Sequence, residues 1–112
     1  MKPVYRLPFT LFEYAIMKYF HRTTVKPDEV LEGATRFFGA TLAPAGEEPR
    51  RRQFAGTIGR ISVTVQAEGG HYTLVTIETN QVGESEADKL AKRFLTLVHT
   101  RAEPKHRPIG AY

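Results

Sequence analysis

An α+β fold, two helices laid on one face of a three-stranded antiparallel meander, is predicted by three features of this 112-residue sequence. Residues 60–68 alternate strictly between apolar and polar side chains, as a half-buried strand does. A Gly-Gly pair follows, and then a second segment rich in β-branched residues. On either side of this region, apolar residues recur at helical spacing. The expected core is a two-layer α-β-β-β-α sandwich over residues 25–102, preceded by an aromatic arm (1–24) and followed by an extended tail (103–112).

The first helix opens at Lys26-Pro27-Asp28-Glu29. Proline at the first helical position already holds the required φ, and two acids in the first turn suit the positive end of the helix dipole. Val30, Leu31, Ala34, Phe37, Phe38 and Leu42 then form an apolar stripe, so the spacing predicts a helix over 27–42. Pro44, Gly46 and Pro49 read as the loop that ends it. Arg51 to Thr57 form a plausible first strand, with Ile58-Gly59 in its turn. Ile61, Val63, Val65 and Ala67 then mark the buried face of the second strand. Gly69-Gly70 is a hairpin signal, because glycine enters positive φ without a Cβ clash. Residues 71–80 return as the third strand. Ser85 reads as the cap of the last helix, with Asp88 in place of the usual Glu of a capping box. Ala87, Leu90, Ala91, Phe94, Leu95 and Val98 supply its buried stripe. Phe37, Phe38, Phe94 and Leu74 are expected to fill the space between helices and sheet. Pro104 and Pro108 predict an extended tail.

Composition narrows the classes of function. The formal charge is +4 and the pI about 9.6, a balance that suits nucleic acid, anionic lipid or an acidic protein surface alike. Without cysteine, disulfides, thiolate metal sites and thiol catalysis are excluded. His21, His71, His99 and His106 lack the spacing that places two on one helix face, so no metal site is expected. No nucleophile stands beside an evident base and no carboxylate pair is expected to converge, so neither an enzyme nor a cofactor is expected. The Gly56-Thr-Ile-Gly59 stretch resembles the backbone-clamping loop of KH domains but falls between strands, where it reads as a turn.

The α-β-β-β-α order resembles that of the double-stranded RNA-binding domain. That resemblance implies a basic module reading duplex shape through phosphates. At the start of the second helix, where the family places lysines, this sequence has Glu84, Glu86 and Asp88. A nucleic-acid-binding module is therefore carried as the alternative reading. The densest basic run is Arg50, Arg51 and Arg52, with Lys105 and Arg107 in the tail.

The opening of the chain carries the leading reading. Residues 7–22 are unusually aromatic and aliphatic, yet too short and too charged for the roughly 20 apolar residues of a membrane span. No signal-peptide pattern is present either. Plotted as a helix from Thr10, the segment lines up Phe12, Ile16 and Phe20, with Thr10, Glu13, Lys18 and His21 on a polar strip. Such a face needs a cover: its own sheet, a lipid headgroup layer or another protein. The expected function is that of a non-catalytic accessory subunit of a larger, membrane-associated assembly, of energy-transducing type as a guess, on the cytoplasmic side. Phe9, Phe12, Ile16, Tyr19 and Phe20 would dock on partner subunits. Arg50, Arg51, Arg52, Lys105 and Arg107 would meet acidic surface or anionic lipid.

Overall fold

The computed structural model describes residues 16–103. Its elements in chain order are β1 (Met17–Thr23), α1 (Pro27–Gly39), β2 (Ala43–Glu48), β3 (Arg51–Gly56), β4 (Gly59–Glu68), β5 (Tyr72–Thr79) and α2 (Glu86–Ala102). The strands form one antiparallel sheet in the order β1-β5-β4-β3-β2, and both helices pack on the same face of it. The fold is α+β, and the expected meander stands at its centre as β3-β4-β5.

Side-chain alternation decides which face is covered. The register sets Ile61 opposite Thr79, Val63 opposite Ile77 and Val65 opposite Val75. All six point at the helices, and none is more than 2% exposed. Phe54 joins them from β3. Above them, α1 contributes Val30, Leu31, Ala34 and Phe38, while α2 contributes Ala87, Ala91, Phe94, Leu95 and Val98. Phe38 is fully buried, and its ring meets Phe54 of β3 at 5.3 Å and Phe94 of α2 at 5.2 Å.

Helix ends and turns follow the local chemistry. Pro27 lies in the first turn of α1, with Asp28 and Glu29 at its positive end. Ser85 caps α2 by accepting the Asp88 N–H at 3.1 Å. The Asp88 carboxylate reaches back to the N–H of Glu84 at 3.0 Å, one residue beyond the usual capping-box partner, and holds Glu84 at φ 71°. Between β4 and β5, Gly69 and Gly70 both take positive φ (62° and 77°), and the His71 N–H closes the turn on the Glu68 carbonyl. Thr73 Oγ1 donates to the Val25 carbonyl at 2.7 Å, tying the β1–α1 connection to β5.

The structure adds two strands that the sequence patterns do not suggest. Met17–Thr23 is a strand, not the continuation of a helix begun at Thr10. Its side chains alternate across the sheet, and its backbone completes the open edge of β5. Ala43–Glu48, read as loop because of Pro44 and Gly46, is edge strand β2. Proline is tolerated there because an edge strand has one side without ladder partners, and the register shifts between Pro44 and Gly46. Side-chain placements also differ from expectation: Ala67, near the end of β4, is exposed where a buried position is expected. Leu74 points away from the helices, and Ser62 is buried because Arg51 lies across it, Nε donating to Ser62 Oγ at 3.0 Å.

Phe38 joins the sheet to both helices, so its truncation should be felt across the domain. Phe38→Ala should cost about 3–5 kcal/mol in urea denaturation, whereas Leu97→Ala, on the exposed side of α2, should fall within about 0.5 kcal/mol of the parent.

Candidate docking surface

β1 occupies one end of the sheet, hydrogen-bonded to β5 from Met17 opposite Thr79 to Thr23 opposite Thr73. Alternation sends Met17, Tyr19, His21 and Thr23 toward the helices and Lys18, Phe20 and Arg22 to the open face. Five residues were expected to dock partners. Phe20 is 61% exposed near the middle of the strand, and Ile16, in the bend just before it, is 55% exposed. Tyr19 turns inward instead, packed against the core with Lys92 Nζ 5.5 Å above its ring, a cation–π contact. Phe9 and Phe12 lie outside the described residues.

The open face is not uniformly polar. On β5, Thr76 is directly opposite Phe20, Leu74 lies two residues along beside Arg22, and half-exposed Tyr72 two residues further on the same face. Two ion pairs frame it. Lys18 Nζ lies 3.2 Å from Glu78 on the neighbouring strand. Arg22 reaches over β5 to Glu68 on β4, its Nε 2.7 Å from the carboxylate. Both cations therefore lean inward over the sheet, and Phe20 stands between them at the edge.

The two edges of the sheet differ. β2 carries Pro44, a register shift and the acidic pair Glu47-Glu48, all of which discourage strand addition. β1 has neither proline nor bulge, and among the described residues its outer backbone edge is unpaired. It is the edge that can accept another extended segment.

The basic run does not form one patch. Arg50 leans toward α1, with Nη1 3.8 Å from Asp28. Arg51 lies on the open face over Ser62. Arg52 points to the helix side, 3.8 Å from Glu47, and its guanidinium also donates to the Glu48 carbonyl. Cross-strand pairing of Glu47 with Arg52 and Glu48 with Arg51 spreads much of this charge among acids. Lys105 and Arg107 lie outside the described residues.

One juxtaposition has no signal in sequence spacing. His21 on β1 meets His99 on α2 edge to face, ring centroids 5.9 Å apart. Burial holds the His21 imidazole below its ordinary pKa of 6.5, and the neighbouring His99 lowers it further. Among the described residues no cluster of three or more His, Cys, Asp or Glu could hold a metal ion, and no helix is long and apolar enough to cross a membrane.

The His21 shift fixes a sign for pH dependence. The unfolded chain takes the proton more readily than the folded one, so stability is full above the ordinary histidine value and is lost as pH falls through the folded one. Urea midpoints should drop between about pH 7.5 and about pH 5.5, and His21→Gln should flatten part of that slope.

No family profile, no curated protein and no solved structure matches this chain.

Proposed function

We propose that the protein is a non-catalytic accessory subunit that docks onto partner chains through the β1 edge and the apolar strip beside it. The observation that carries this reading is Phe20, 61% exposed on an unbulged edge strand, with Leu74 diagonal to it on β5 and the exposed Ile16 and Tyr72 each four residues away along the strand direction. Exposed aromatic anchors ringed by polar groups are the usual centres of protein interfaces. An unpaired edge adds backbone hydrogen bonds to what such an anchor provides. The membrane-peripheral, cytoplasmic-side setting stays part of the proposal on the composition of residues 7–15 alone.

The strand assignment of Met17–Thr23 changes how this is tested. Deleting residues 1–24 would remove β1 and damage the sheet, so a surface variant is the clean probe. Tagged full-length protein purified from its host in gentle detergent should retain a defined, stoichiometric set of chains through a high-salt wash. Phe20→Ser combined with Ile16→Ser should weaken that association by about thirtyfold or more, as expected for loss of an anchor worth about 2 kcal/mol, with an unchanged thermal midpoint. Recovery of RNA that leaves in salt would instead support the basic-module reading, since phosphate contacts release counterions.

A further inference from the structure

On the solvent side of the two helices lies a groove of about 310 Å³ that plays no part in the docking surface. Val25, Val30, Phe37, Phe94, Leu97 and Val98 give it apolar walls, and Leu97 is half exposed at its lip. Three charged residues, Glu29, Arg36 and Arg101, line it as well. Glu29 and Arg101 neutralise each other across the helices at 2.9 Å. Arg36 makes no ion pair within 4 Å among the described residues. On its other side it faces a shallow concavity shared with Glu32 and Glu47. The groove thus joins an apolar body to one guanidinium that no carboxylate among the described residues meets within 4 Å, with Glu32 and Glu47 beyond it.

Gly33 is a second and independent observation. It sits in the interior of α1, where glycine costs about 0.5–1 kcal/mol relative to alanine. Close helix packing does not demand it. A Cβ at that position would meet only Phe94 Cε1, at 3.8 Å, an ordinary van der Waals distance. Alanine would fit, and glycine keeps the groove open at its floor.

We infer that this groove is a binding site for a small amphipathic carboxylic acid, its single chain or ring lying between Phe37, Phe94 and Leu97 and its carboxylate on Arg36. The volume is at the lower end of small-molecule sites, which run from about 300 to about 1,000 Å³, and so limits the ligand to one chain or ring. The sign of the charge follows from Arg36, whose planar fork matches a carboxylate. The inference is independent of the docking reading, which concerns the opposite face of the sheet.

The test uses the full-length, ¹⁵N-labelled chain titrated with decanoate and followed by amide chemical shifts. Saturable shifts centred on Gly33, Arg36, Phe94 and Leu97 are expected. Arg36→Ala, on an exposed residue, should weaken binding about tenfold, as loss of a charge-assisted hydrogen bond does. Decylamine should bind far more weakly than decanoate. Gly33→Leu should abolish the shifts at an unchanged or raised thermal midpoint; if it unfolds, the Arg36 variant and the amine comparison still decide. The inference fails if decanoate moves no groove amide, if its shifts centre on Phe20 and Leu74, or if the amine binds as well as the acid. It fails also if the ligand-free protein shows close contacts from Ile109 or Tyr112 to Phe94, because the chain's own tail is then the occupant.

Discussion

Everything in this domain hangs on the ring of Phe38, where α1, α2 and the sheet meet. Phe54 reaches it from β3 and Phe94 from α2, with centroid separations of 5.3 and 5.2 Å. Phe37, its neighbour in α1, stands edge-on at 5.0 Å and leans toward Phe94. Each such aromatic pair adds about 0.5–1.5 kcal/mol beyond simple burial. The positional consequence is larger. Once these rings fix which sheet face the helices cover, the period of two fixes every other side chain in the sheet. Ile61, Val63, Val65, Val75 and Ile77 must point inward, and through the β5 register so must Tyr19 and His21. Lys18, Phe20 and Arg22 are then committed to the open face. The exposure of Phe20 is set by the same parity that buries the core.

The charges near Phe20 matter through where they lie more than through their strength. A cross-strand pair as exposed as Lys18–Glu78 contributes only about 0–1 kcal/mol, and Arg22–Glu68 is more open still on the arginine side. A lysine and an arginine on an edge strand would ordinarily deter pairing with another chain. Here both are drawn inward by acids on β5 and β4, which weakens that deterrent. At the other edge, Glu47 and Glu48 face Arg52 and Arg51 across a hairpin, and proline with a register shift discourages strand addition. Among the described residues one edge is blunted and the other is open, and the open one is the edge on which the proposed docking rests.

How far the sequence could be read follows from which signals were local. The meander, the Gly-Gly turn, the Ser85 cap and both apolar helix stripes were legible because each is written within a few consecutive residues. β2 was hidden by Pro44 and Gly46, which mark a loop unless the strand is known to lie at an edge. The signal that could have found it is charge symmetry: Glu47-Glu48 and Arg51-Arg52 flank Pro49-Arg50 in the order an antiparallel hairpin requires. β1 was hidden by coincidence, since Phe12, Ile16 and Phe20 also satisfy a helical i, i+4 row. Tyr19, His21 and Thr23, alternating with Lys18 and Arg22, carried the competing period of two. Phe20 and Ile16 are exposed while Tyr19 turns inward, because a strand separates neighbours that a helix keeps together. The meeting of His21 with His99, like that of Phe20 with Leu74, depends on tertiary placement alone.

The groove between the helices has a geometric origin. Five strands about 4.8 Å apart present a face about 19 Å wide, and two helices of about 10–12 Å diameter can cover it only side by side. α1 accordingly rests on β2, β3 and β4, while α2 rests on β1, β4 and β5. Two cylinders so placed seal the sheet beneath them but leave a furrow along their upper seam. Large side chains from both helices can close such a furrow. Phe37 and Phe94 begin to do so here, and Gly33 then withholds the side chain that would finish it. Among the described residues the same division of the sheet leaves the opposite face without helices, and Phe20, Leu74 and Tyr72 lie on that face. One packing solution thus produces two unfinished surfaces on opposite sides of the molecule, one a furrow suited to a small amphiphile and the other an edge suited to a chain.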